Sequence, residues 1–174
     1  IKDWPSAERD LLIANELNPD QPLILNYLGY SWVDRNMRLN EGLEFIEKAV
    51  QLKPDDGYIV DSLGWAHFRL GNYAKAVEQL ERAVELRPSD PILNDHLGDA
   101  LWRVGRIREA RHQWELALTL DPEPEEERKI REKLANGLPP IGAIETAAPK
   151  KSKNDGAATL GKRVERFAPP QPLR

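Results

Sequence analysis

The chain has no cysteine, one methionine and three histidines among its 174 residues. Without cysteine there is no disulfide framework, no thiol nucleophile and no Cys-based zinc site. No run of about 18 apolar residues occurs, so nothing reads as a membrane-spanning helix. A phosphate-cradling glycine loop is also missing, because the glycines recur at positions that a repeat explains. His67, His96 and His112 are scattered. His96 with Asp95 and Asp99 is the one loose candidate for a metal site, and it offers too few convergent ligands for a structural or hydrolytic metal site. The expectation is a chain that is not an enzyme and carries no metal or cofactor.

What is present is a period. Pro19, Pro54, Pro88 and Pro122 are spaced by 35, 34 and 34 residues. Each interval holds the same skeleton. Leu-Gly recurs as Leu28-Gly29, Leu63-Gly64 and Leu97-Gly98, and a second glycine follows as Gly42, Gly71 and Gly105. Ala76 and Ala83, then Ala110 and Ala117, stand seven apart, and Ala7, Ala14 and Ala49 hold the matching places. The second unit has one extra residue, around "RNMRLN". Apolar residues in "AVEQLERAVEL" recur at three- and four-residue spacing, as an amphipathic helix requires. Each unit therefore predicts two helices. The paired glycines allow close helix crossing, at about 1 kcal/mol of mid-helix cost that packing must offset. Ala83 and Ala117 are expected to face the next unit's first helix, where a larger side chain would overpack. Asp90-Pro91 reads as an N-cap with proline at the first helical position.

These boundaries give a half unit over 1–21, full units over 22–56, 57–90 and 91–122, and a capping helix over 123–137. In the last, Glu125, Glu126 and Glu127 suit the N-terminal end of the helix dipole and Lys129, Arg131 and Lys133 the other half. Ile130 and Leu134 form its one apolar stripe, as a solenoid cap needs. Residues 138–174 lose the periodicity and read as a disordered basic tail. It carries seven Lys or Arg against three acids, leaving −8 on the remainder of a chain whose net charge is −4. The chain starts inside a unit, so a longer protein is expected, with any signal or lipid anchor upstream of Ile1.

Period, glycines, alanines and prolines together make residues 1 to about 122 resemble the tetratricopeptide-repeat (TPR) family. The resemblance implies an all-α, right-handed solenoid of antiparallel helix pairs whose first helices line a concave groove. That face would present Asn26, Tyr30 and Asp34, then Asp61, Trp65, Phe68 and Arg69, then Asp95, Asp99, Trp102 and Arg103, with Tyr27, Tyr58 and His96 close by. Phe68 and Trp102 are equally well read as packing between first helices, and Trp4 and Trp114 as core. The implied function is a protein-interaction scaffold. One family mode clamps an acidic C-terminal peptide with Lys, Asn and Arg; the carboxylates here point instead to an extended, neutral-to-basic peptide. The acidic body argues against nucleic acid as main ligand. Self-association through exposed solenoid ends is the alternative. The segments "LGYSWVDR", "DSLGW" and "HLGDALW" further resemble the C-terminal repeats of large proteobacterial TPR proteins, several of them adaptor lipoproteins of the periplasm held at the outer membrane. That implies a periplasmic, outer-membrane-associated location, with the cytoplasm as the other option.

Overall fold

A computed structural model describes residues 3–141. Among the described residues there are eight α-helices and no strand. Helix α1 (Trp4–Leu17) precedes three pairs: α2 (Pro22–Asp34) with α3 (Leu39–Leu52), α4 (Gly57–Arg69) with α5 (Tyr73–Leu86), and α6 (Pro91–Arg103) with α7 (Ile107–Thr119). Helix α8 (Pro124–Asn136) closes the series. Each helix packs chiefly on its neighbours in sequence, and α2, α4 and α6 also touch in succession. Short turns force antiparallel pairs. The first helices thereby form one layer and the second helices another, as in a repeat solenoid.

The repeat residues account for these elements. The Asp90 side chain accepts from the backbone N–H of Ile92 and Leu93 at 2.9 and 3.3 Å, while Pro91 begins α6. Asp56 caps α4 in the same way through Tyr58 N–H at 3.2 Å. At Gly98 a Cβ would stand 2.4 Å from Trp114 Nε1, and at Gly64 it would stand 2.5 Å from Leu80 Cγ. Only glycine lets α6 and α4 approach their partners so closely. Ala76, Ala83, Ala110 and Ala117 are all fully buried. Ala83 packs with Val60 of α4 and Leu93 of α6, filling the joint between two pairs.

The extra residue of the second unit lies in the turn between α2 and α3. Asn36 and Arg38 both take positive φ there, 56° and 43°. The turn closes by Met37 N–H donating to the Trp32 carbonyl at 2.7 Å. Arg38 then lies over the Trp32 ring, 4.1 Å from its centroid, and pairs with Glu8 of α1 and Glu41 of α3. Trp32 Nε1–H donates to Glu8. The lengthened turn thus helps bind α1 to the first full pair.

Beyond α8, two residues depart from the expected tail boundary at 138. Leu138 packs with Trp114, Ala117 and Ile130, and Arg103 donates to the Pro139 carbonyl at 2.7 Å. Gly137, at φ 71°, permits this reversal over Trp102. Two residues are too few to leave a periodic signal. Pro140 and Ile141 are exposed, and the tail from 142 to 174 lies outside the described residues.

Candidate functional site

Along the first-helix layer a groove of about 470 Å³ opens between α2, α4, α6 and the start of α8. Tyr30 and Asp34 come from the last turns of α2 and Trp65 from α4. Helix α6 supplies Ile92, Asp95, His96 and Asp99, while Pro122 to Glu126 and Lys129 form the far wall. These residues stand in register. Tyr30, Trp65 and Asp99 each follow the repeat glycine by one residue, and Lys133 holds the same place one period later.

The polar groups of the floor are committed to one another. Asp61 is fully buried, and its Oδ1 lies 2.8 Å from His96 Nδ1. The His96 ring stacks on Trp65 at 4.3 Å, and Phe68 stacks on the same indole at 4.9 Å. Tyr73 meets Phe68 edge-on at 5.4 Å. One period along, Lys133 Nζ reaches Asp95 at 2.7 Å and Asp99 at 2.8 Å. Asp99 also accepts from Trp114 Nε1–H at 3.0 Å. Burial pushes the Asp99 carboxyl up to about 6, against the downward pull of Lys133, and the neighbouring Asp95 adds to the rise. Burial works to lower the Lys133 ammonium, but Asp99 and Asp95 outweigh it and hold it above the ordinary lysine value. Two carboxylates around one ammonium keep a negative excess on this floor.

Several expected groove residues are placed elsewhere. Asn26 is buried at 1% exposure, and Asp61 is internal rather than a contact. Tyr27 packs on Trp4 at 6.5 Å, and burial there raises its phenol. Tyr58 lies under Arg87, whose guanidinium carbon is 4.2 Å from the ring centroid. Phe68 joins the core cluster of α5 and α6, and Trp102 packs on Trp114. Arg69 donates to the Asp34 carbonyl at 3.0 Å, and Arg103 is taken by Pro139. Each first helix packs on second helices before and after it as well as on its first-helix neighbours, and these contacts draw Tyr27 to α1, Tyr58 to the end of α5 and Trp102 to α7.

Tyr30, Asp34, Trp65, Asp95, His96 and Asp99 do line the groove. The α8 wall, with Glu123, Glu125, Glu126, Lys129 and Lys133, was not among the expected groove residues. The repeat register carried the signal for Lys133: it stands 34 residues after Asp99, where a further first helix would present its groove residue. Six carboxylates line the groove against Lys129 and Lys133. Lys129 pairs with Glu125 at 2.7 Å, so both lysines are engaged within the chain.

Residues 62–123 match the tetratricopeptide-repeat family model. A curated relative, the TPR repeat-containing protein PA4667 of Pseudomonas aeruginosa, is 43% identical over 74 residues. Those residues are 42% of this chain but only 12% of that protein, so the chain matches a small part of the relative. Among solved structures, the first TPR of Spaghetti (RPAP3) bound to the HSP90 peptide SRMEEVD gives a TM-score of 0.57 at 25% identity, over 66% of this chain and 94% of that one. The crystal structure of MamA gives 0.60 at 21% identity over 74% of this chain and 81% of its own, a likeness of fold alone.

Proposed function

We propose that this chain, which belongs to the tetratricopeptide-repeat family, is an interaction scaffold that holds an extended, neutral-to-basic peptide in the groove between α2, α4, α6 and α8. The observation that carries this reading is the acidic lining just described, interleaved with the apolar surface of Tyr30, Trp65 and Ile92. Aromatic and aliphatic floor atoms give contact area, and the rim charges select sign and speed encounter. The HSP90 peptide held by the RPAP3 domain carries three acids and one arginine. The carboxylates here oppose such a ligand. Fluorescence titration of the full chain with basic and acidic peptides of equal length tests the reading. Basic peptides are expected to bind at low salt and to weaken in Asp34→Lys/Glu126→Lys. Equal affinity for an SRMEEVD peptide would overturn it.

Self-association is a second reading, favoured by Ile13 and Leu17 on α1, which are 47% and 81% exposed. Light scattering across a concentration series separates it from a monomeric scaffold. On the resemblance of its repeats to proteobacterial envelope proteins, a periplasmic location at the outer membrane is proposed, with the cytoplasm as the alternative, and fractionation of the source cell would test it.

A further inference from the structure

We infer that the groove is held in cis by the chain's own C-terminal segment around residues 159–170, so that a partner must displace it to bind. This rests on the reading of the groove as a peptide site and names its resident occupant. Charge supplies the first argument. The groove lining holds six carboxylates and only Lys129 and Lys133 as cations. The segment "TLGKRVERFAPP" holds Lys162, Arg163 and Arg166 against Glu165 alone. Leu160, Val164 and Phe167 lie between and beside these charges, which matches a floor formed by Trp65, Ile92 and Tyr30.

The same face supplies the second argument. Asp95 and Asp99 already take an ammonium from elsewhere in the chain, because Lys133 of α8 bridges them at 2.7 and 2.8 Å. A basic group of this chain against the carboxylates of this groove is therefore an observed arrangement.

Reach supplies the third. The chain leaves α8 at a fixed place, with the Pro139 carbonyl held by Arg103. The groove is walled by α8 from Pro124 to Lys133, so the return to its far end is at most the length of that helix. A helix of 13 residues is about 20 Å long. The stretch from 142 to 159 spans at most about 60 Å when extended. It covers the return with length to spare. Tethering at such a distance gives an effective concentration in the roughly millimolar range, enough for a weak contact to be populated.

The absence of cysteine makes the test direct. In the full chain, Val164→Cys bears a single spin label, and the Trp65 indole N–H is followed by NMR. Broadening of that signal is expected, and it should vanish at high salt and in Asp34→Lys/Glu126→Lys. Mixing spin-labelled with isotope-labelled, unmodified chain reports contacts between molecules; broadening as strong in the mixture as in the labelled chain would overturn occupancy in cis in favour of a second copy. In parallel, a synthetic peptide of residues 159–170 is titrated into the full chain and into Lys162→Glu/Arg163→Glu/Arg166→Glu. Reversing the resident segment's charge is expected to tighten binding of the added peptide about 10- to 100-fold. Equal affinity for both chains, without broadening, removes the cis occupant and leaves the peptide groove standing. No binding of the added peptide to either chain removes both.

Discussion

Helices α1 and α8 end the described body, and they end it in different ways. Helix α1 brings the larger apolar surface. Trp4, Ala7, Leu11 and Leu12 pack on Leu28 and Trp32, yet Ile13 and Leu17 stay exposed. Trp4 Nε1 and Asn15 Oδ1 are buried there with no hydrogen-bond partner among the described residues. Helix α8 fully buries one residue, Ile130, with Leu134 beside it. Its exposed surface carries three i,i+4 ion pairs, Glu125–Lys129, Glu127–Arg131 and Arg128–Glu132. Such exposed pairs contribute only about 0.3–0.5 kcal/mol each. Its attachment comes from Ile130 and from Lys133 seated between two carboxylates. Helix α8 is therefore held by partners for its polar groups as well as by apolar contact.

The comparison breaks most visibly at Lys133. Replacing it with alanine leaves the buried Asp99 and the half-buried Asp95 without their cation, and losing one partner of a buried pair costs about 3–5 kcal/mol. Urea denaturation of Lys133→Ala at pH 8 is expected to show that loss, and an unchanged midpoint would show that α8 is held by Ile130 alone.

A second, smaller effect follows from protons. Asp99, raised from 3.8 to about 6, binds a proton in the folded chain over a range where the unfolded chain has released it. Stability from this group is therefore greatest below the unfolded value and falls as pH rises to about 6. That is the reverse of an ordinary paired carboxylate. The change is about 2–3 kcal/mol if Asp99 titrates alone; Lys133, Asp95 and His96 also act on it. Parent and Asp99→Asn should thus differ in slope between pH 4 and 6, and parallel profiles would dismiss the buried proton.

Between the two ends, the joint around Ala83 is apolar. Ala83→Leu is expected to cost about 1–3 kcal/mol by overpacking Val60 and Leu93, read as a lowered denaturation midpoint. At α1 the expected effect is smallest. Leu17→Lys should stay within about 0.5 kcal/mol of the parent, because an 81% exposed side chain contributes little within one molecule. A larger loss at low protein concentration would show that Leu17 is buried by something within the chain.

Much of the fold was legible because the repeat writes each packing rule three times. Gly64 and Gly98 mark the close crossings, Ala83 and Ala117 the joints, and Asp90-Pro91 a helix start. The groove was legible only in part. Helical spacing places Asp61 and Trp65 on one face, but it does not say that the next repeat covers Asp61 with His96. Burial at a joint depends on residues about 35 positions away. The docking of Leu138 and Pro139 depends on Gly137 turning back over Trp102, a local event with no period to announce it.

Lys133 stands one period after Asp99, so α8 tests the chemistry of the unit beneath it, and the array has a grammar for where it stops. A duplicated α6–α7 pair spliced in ahead of α8 would again offer Asp95, Asp99 and the Trp114 indole. A duplicated α4–α5 pair would offer Asp61 and Trp65, one carboxylate and a ring, leaving the ammonium half-matched. Lengthening the array by recombination is thus permitted only when the terminal word is copied intact.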